Sequence, residues 1–211
     1  MIQAILFDFW GTLVENGVWS PVKQIRTILD IKIPFPEYVV RMEMAMMSSR
    51  FDSLKEAFEE VGREFDLKLD QDLIDQLIGL WNKSWMLAKP YPETVEILTE
   101  LSQKYKLGLV SNTDYFSIKN VLEKFNLSHY FTKIFLSCDM GMIKSDLQFM
   151  PKVLAALSLD PEDCLMVGDS IESDIKPAEN NGVKSILIDR KDMLDKVPKI
   201  KDLKELKNFL P

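Results

Sequence analysis

Hydrophobic positions along the chain follow two periods, and the places where one gives way to the other divide it into parts. Five short apolar runs rich in β-branched or aromatic residues stand out: Ile2 to Asp8, Lys106 to Ser111, Lys133 to Ser137, Cys164 to Gly168 and Lys184 to Ile188. Near-continuous apolar runs of this length read as buried parallel strands. Between the last four the period becomes helical. Ile118, Val121, Leu122 and Phe125 recur at i, i+3, i+4 and i+7, as do Met150, Val153, Leu154 and Leu157. Each connection therefore has one apolar face to lay on a sheet. Strand, helix, strand in that rhythm predicts an α/β fold, a doubly wound parallel sheet.

The stretch from Glu15 to Lys89 breaks the rhythm, because it carries helix patterns and no convincing strand. Ser53-Leu54-Lys55-Glu56 spells a capping box, followed by a stripe of Leu54, Ala57, Phe58, Val61 and Phe65. A second helix is expected from Asp70 through Leu73, Leu77, Leu80 and Trp81 toward Trp85. Ser20-Pro21 and Pro36 mark two more helix starts, where proline's missing N–H costs nothing. The expected organisation is a core of residues 1–14 and 90–211 with an all-helical insertion at 15–89. Lys89-Pro90-Tyr91-Pro92 would be the stiff return hinge.

Composition narrows the class. A chain of 211 residues can bury a full core without disulfides or structural metal. A formal charge of -7 opposes binding to nucleic acid or to an anionic membrane, which both demand clustered basic surface. Cys138 and Cys164 form no CxxC and read as reduced, buried thiols, so the expected setting is cytoplasmic. No run approaches the roughly 20 apolar residues of a membrane span. The expected assembly is a monomer or homodimer acting on a small molecule.

Chemistry gathers at the predicted strand ends, where open α/β sheets bind ligands. The first strand ends at Asp8 and turns on Gly11-Thr12; the second delivers Ser111 and Asn112; Gly141-Met142-Ile143-Lys144 follows the third; Asp169 and then Asp174 follow the fourth. In order and type these resemble the four motifs of haloacid dehalogenase-like hydrolases, most of them magnesium-dependent phosphatases. The resemblance covers nearly the whole chain. It implies a Rossmann-like core with a helical cap, and an aspartyl-phosphate formed on Asp8 from a small phosphorylated metabolite. Thr12 would hydrogen-bond and orient the nucleophile loop. Ser111, with the backbone N–H groups of Asn112 and Thr113, would hold phosphoryl oxygens, and Lys144 would balance the crowded anions. Mg²⁺ would be held by Asp8, Asp169, Asp174 and the backbone carbonyl of Trp10.

Two positions depart from the family pattern. Ser145 follows the motif lysine where the family has proline, and Trp10 stands where the phosphatases carry a second aspartate, their general acid and base. An aromatic residue at Trp10's place also occurs in the true haloacid dehalogenases, which attack carbon without a metal. The resemblance thus implies a magnesium-dependent phosphatase first. The alternatives are a 2-haloacid dehalogenase and a weakly active or non-catalytic phosphate-binding protein. Losing the proton carrier costs typically about 10²- to 10⁴-fold in rate. Glu15 and Asp114 are candidate replacements. Arg41 and Arg50 are the cap cations to inspect for substrate contact, and the methionine-rich run at Arg41 to Met47 is expected to be cap packing that could face the cleft. His129, in a predicted turn, is expected to be a surface residue.

Overall fold

The computed structural model describes residues 1–210. Strand β1 (Ala4–Phe7) lies at the centre of the sheet because all four of its residues are buried on both faces. Their side chains alternate: Ile5 and Phe7 enter one core and Ala4 and Leu6 the other. After β1 the chain makes a tight turn into β2 (Val14–Glu15) and then four helices, α1 (Pro21–Ile28), α2 (Phe35–Met47), α3 (Leu54–Glu64) and α4 (Gln71–Met86). It returns along β3 (Lys89–Pro90), antiparallel to β2.

The remaining chain winds as α5 (Thr94–Leu101), β4 (Lys106–Ser111), α6 (Tyr115–Lys124), β5 (Lys133–Leu136), α7 (Ser137–Met140), α8 (Phe149–Leu157), β6 (Cys164–Gly168), α9 (Lys176–Asn180), β7 (Lys184–Ile188) and β8 (Lys199–Ile200). A π-helical turn at Ile171–Ile175 precedes α9. The six-stranded parallel sheet has the order β5-β4-β1-β6-β7-β8. The winding reverses at β1, between β4 and β6, and that switch point opens a crevice above the carboxyl end of β1. Asp8 sits there, its N–H donating to Val167 O at 2.9 Å.

The expected strands at Lys106, Cys164 and Lys184 have the expected bounds. Two are shorter. β1 begins at Ala4 and ends at Phe7, and β5 ends at Leu136, because Ser137 already opens α7. The strand β8 and the small β2–β3 ribbon carry too few residues to show a period.

Helices α1 to α4 have a core of their own, built on Tyr38, Met42, Met46, Phe58, Leu77 and Trp81. Their starts follow the sequence signals: Pro21 and Pro36 lie in first turns, Ser53 accepts from Glu56 N, and Asp70 accepts from Leu73 N. The capping box is displaced by one residue on its return half, since the Glu56 side chain accepts from Asp52 N. No helix among the described residues is long and apolar enough to cross a membrane.

Four side-chain polar links tie this helical unit to the segments around the sheet. Trp81 Nε1 donates to Asp114 Oδ2 at 2.8 Å, Arg50 pairs with Asp139, Asn112 Nδ2 donates to Glu43 Oε2 at 2.8 Å, and Lys124 Nζ donates to Met86 O at 2.8 Å. The first is the most enclosed, with Asp114 3% exposed and Trp81 7%. Trp81→Phe keeps most of the ring volume but leaves one carboxylate oxygen of Asp114 without its donor. The expected loss is about 1–3 kcal/mol of stability in urea unfolding. An unchanged midpoint would show that water replaces the indole without cost.

Candidate active site

The turn after β1 sets the geometry of the site. Gly11 has φ +81°, and a Cβ there would lie 2.2 Å from Asp169 Oδ2, so glycine is required on both counts. The turn closes through Gly11 N to Val14 O at 2.8 Å and Leu13 N to Phe9 O at 2.9 Å. Arg190 clamps it from outside, donating to Thr12 O at 2.7 Å while pairing with the buried Glu93 at 2.8 Å. Its guanidinium stacks on Tyr91, 3.4 Å from the ring centre.

Within the cleft, Lys144 is 4% exposed. Its ammonium donates to Asp8 Oδ1 at 2.6 Å and Asp174 Oδ1 at 2.5 Å. Burial alone would lower the Lys144 pKa, but the charges of Asp174 and Asp8 outweigh it and hold the pKa well above the usual lysine value. Asp174 moves up despite this partner, because burial exceeds the attraction of Lys144. Asp169 also moves up, through desolvation by the surrounding protein and then repulsion from Asp8 and Asp174, although the residue is exposed at the mouth of the site. These shifts describe one situation, a single cation among three carboxylates. Asp8, Asp169 and Asp174 each offer an oxygen within 4.8 Å of the others. The second oxygen of Asp8, Oδ2, is buried with no hydrogen-bond partner.

The structure thus brings Asp8, Lys144, Asp169 and Asp174 together, with Trp10 and Asn112, around a cleft of about 220 Å³. It revises other expectations. The Thr12 hydroxyl is buried without a partner, so the residue orients the loop through its carbonyl and Arg190, not through its side chain. Ser111 is fully buried, and its hydroxyl makes a single long contact to Asn112 O at 3.5 Å. Thr113 N is already committed to Ser137 Oγ at 2.9 Å, so it does not join Asn112 as a donor to ligand. Asp174 lies within the π-turn, while Ser170 caps it by accepting from Ser173 N; Asp174 closes the same turn by accepting from Ser170 N at 3.0 Å.

Neither proposed replacement for the second aspartate is placed for the task. Glu15 is exposed, on the ribbon outside the cleft. Asp114 lines the cleft, but its two oxygens are held by Trp81 Nε1 and Ser117 N as the cap of α6. Trp10 fills the position with an aromatic ring, packed edge-on against Phe9, and its Nε1 donates to Thr113 Oγ1 at 3.2 Å. Arg41 pairs with Glu64 and Glu37, and Arg50 with Asp139, so neither lines the cleft. His129 is exposed and rests on Tyr130. Cys138 and Cys164 are free and buried.

Glu43 escaped the sequence reading. On α2 the stripe Tyr38, Met42 and Met46 fills the helical core, while Val39, Glu43 and Met47, each four residues apart, line the cleft. An acidic residue inside a methionine run was the available signal. Burial pushes the Glu43 pKa up to about 7, against the Asn112 hydrogen bond and Lys144, which lower it.

The chain matches the haloacid dehalogenase-like hydrolase family over residues 5–188 and belongs to it. It is 24% identical over 236 aligned residues to the glyceraldehyde 3-phosphate phosphatase of Methanothermobacter thermautotrophicus, covering 100% of both chains. The glyceraldehyde 3-phosphate phosphatase of Methanocaldococcus jannaschii is 28% identical over 202 residues, covering 89% of this chain and 85% of the relative. Among solved structures, a 2-haloacid dehalogenase from Pseudomonas syringae aligns with TM-score 0.67 and 20% identity, over 100% of this chain and 98% of that one. A phosphatase from Thermococcus onnurineus aligns with TM-score 0.65 and 24% identity, over 99% and 98%. A Bacteroides thetaiotaomicron enzyme in complex with magnesium and inorganic phosphate aligns with TM-score 0.65 and 18% identity, over 92% and 98%. At these identities the structural likenesses establish the fold.

Two outcomes follow from the charges. Lys144→Met leaves Asp8 and Asp174 buried without their cation, and should lower stability by about 3–5 kcal/mol in denaturant unfolding without added metal. A loss below about 1 kcal/mol would mean that water reaches both carboxylates freely. For Glu43 the sign runs the other way from an ordinary ion-paired acid. A carboxyl whose folded pKa is raised from 4.5 to about 7 contributes stability that is full below pH 4.5 and lost as pH rises through 7. Glu43→Gln should therefore gain stability relative to wild type at pH 8, with the gain gone at pH 4. Thermal melts across that range that stay parallel would contradict the shift.

Proposed function

We propose that the protein is a Mg²⁺-dependent phosphatase of small phosphorylated metabolites, working in the reducing cytoplasm through an aspartyl-phosphate on Asp8. One observation carries the reading: Asp8 keeps one oxygen on Lys144 and has the other buried and unpartnered, with Asp169 and Asp174 beside it. A buried carboxylate oxygen without a donor is costly, and three carboxylates with one lysine leave excess negative charge. A small hard cation with oxygen ligands fits that donor set. Asp8, Asp169, Asp174 and the carbonyl of Trp10, which needs no aspartate side chain, would hold it. When bound, Mg²⁺ would neutralise phosphoryl charge in the transition state.

The chain's own groups do the rest. Lys144 fixes one oxygen of Asp8, which aims the carboxylate at phosphorus. Attack there forms the acyl phosphate and expels the alcohol; water then releases phosphate. The helical unit at 15–89 acts as the cap, roofing the cleft with Trp81, Trp85 and Val39. Glyceraldehyde 3-phosphate phosphatases among the relatives have the same broad chemistry in their names.

The cleft also argues for the substrate's body. Lys144 is the single cation among the residues that line it, and it is held by two aspartates, while Glu43 and Asp114 add negative charge on the roof side. A substrate with its own carboxylate meets no partner there. We therefore assign a phosphate ester whose carbon portion is uncharged, with hydroxyl or carbonyl groups for Asn16, Ser84 and Asn112. The same deficit opposes a 2-haloacid, whose carboxylate would need that cation, even though Trp10 is dehalogenase-like.

Steady-state assays test this. The protein should hydrolyse p-nitrophenyl phosphate with Mg²⁺, lose turnover in EDTA and lose it in Asp8→Asn. It should favour glycerol phosphate or glyceraldehyde 3-phosphate over phosphoglycolate by about tenfold or more in kcat/KM, the equivalent of about 1.4 kcal/mol. Chloride release from 2-chloropropionate in EDTA, abolished by Asp8→Asn, would transfer the assignment to carbon chemistry.

A further inference from the structure

We propose that Glu43, reaching down from the helical unit, is the proton carrier that stands in for the aspartate replaced by Trp10. The inference rests on the phosphatase reading and adds a catalytic residue to it. Its ground is position. Asp8 enters the cleft from the sheet at its floor, whereas Glu43 enters the same cleft from α2 at its roof. An in-line displacement at phosphorus places the leaving oxygen opposite the nucleophile, so the group on the far side from Asp8 is the one that meets it.

The side chain is held for this work. Oε2 accepts from Asn112 Nδ2 at 2.8 Å, and Asn112 Oδ1 accepts from Lys144 N at 2.8 Å. Asn112 thereby fixes the roof carboxyl and the catalytic lysine loop with a single amide. Oε1 has no hydrogen-bond partner among the described residues and is not sealed in protein, since Glu43 lines both the main cleft and a side opening beside Ser145 and Ser170. Charged groups face Glu43 from every neighbouring element. They are Asp8 and Asp169 from strand ends, Asp174 and Glu172 from the π-turn, Lys144 from the loop after α7, and Asp114 from the start of α6. Burial with mostly negative neighbours keeps a share of Glu43 protonated near neutral pH, which suits a group that must give a proton and then take one.

The step balances. Glu43 in its acid form gives its proton to the ester oxygen as the P–O bond to the alcohol breaks and the bond from the Asp8 oxygen to phosphorus forms. As carboxylate it then takes a proton from the water that attacks the aspartyl-phosphate. Phosphate leaves, the Asp8 carboxylate returns and Glu43 is again protonated.

Glu43→Gln is the test, because the amide keeps the size and the acceptor for Asn112 while removing the proton. Wild type, E43Q, W10D and the W10D/E43Q double variant would be assayed with Mg²⁺ on glycerol phosphate and on p-nitrophenyl phosphate. E43Q should lower kcat on the alkyl ester by about 10²-fold or more. The fall in the rate of p-nitrophenol release in a single turnover should be small, since that leaving group needs no proton. The fall in kcat on the alkyl ester as rising pH deprotonates Glu43 should vanish from the pH profile of E43Q, and adding W10D should restore activity to E43Q. Equal losses on both esters in the single turnover, or a fall confined to KM, would make Glu43 a binding or structural residue and overturn the inference. E43Q with wild-type kcat on the alkyl ester would overturn it as well. Wild type inactive on both esters would instead remove the phosphatase reading beneath it. If W10D alone fails to fold, the leaving-group contrast and the pH profile of E43Q decide.

Discussion

The ammonium of Lys144 is shared between Asp8 and Asp174, and much of the molecule exists to place it there. Two carboxylates from different strand ends approach one point only because a cation neutralises them, and a lysine can be buried only because two carboxylates meet it. The sheet order supplies the meeting place. β1 and β6 are neighbours, so Asp8 and the segment carrying Asp169 and Asp174 emerge side by side, and β4 on the other flank delivers Asn112 to hold the Lys144 backbone. Asp169, with no cation of its own, leaves the balance negative. That residual charge is the physical reason for reading the cluster as a seat for Mg²⁺.

The helical unit contributes more than shelter. Its four side-chain polar links end at Asn112, Asp114, Lys124 and Asp139, all on segments following β4 or β5, so the unit is registered against the strand ends that line the cleft. Glu43 takes its place in the cleft through that registration. The clamp of Arg190 on Thr12 O and Glu93 does the corresponding task for the floor, holding the turn that carries Asp8 and Trp10.

Much of this was legible along the chain, for reasons that can be stated residue by residue. The central strands announce themselves because burial on both faces removes polar residues, as in Leu165-Met166-Val167. That Asp8 and Asp169 would meet at one cleft was readable because each follows a buried run and parallel strands deliver their carboxyl ends to the same edge of the sheet. What escaped was set by contacts between distant segments. Nothing local tells that the Thr12 hydroxyl finds no partner while its carbonyl meets Arg190, or that Thr113 N is taken by Ser137. Glu43 lies in a helix whose methionines dominate the pattern, and its meaning appears only when α2 is laid over the switch point. Glu15 and Asp114 looked equally suitable as acids because proximity in sequence to the motifs says nothing about which oxygens are already occupied.

In the proposed reaction Asp8, aimed by Lys144, attacks phosphorus. The most direct measurement is a rapid acid quench of the wild-type protein during turnover of p-nitrophenyl phosphate with Mg²⁺, followed by peptide mass analysis. The account predicts one phosphoryl group on the peptide containing Asp8, discharged by hydroxylamine. Turnover that proceeds while the Asp8 peptide stays unmodified at every quench time, in a protein that still needs Asp8, would contradict it.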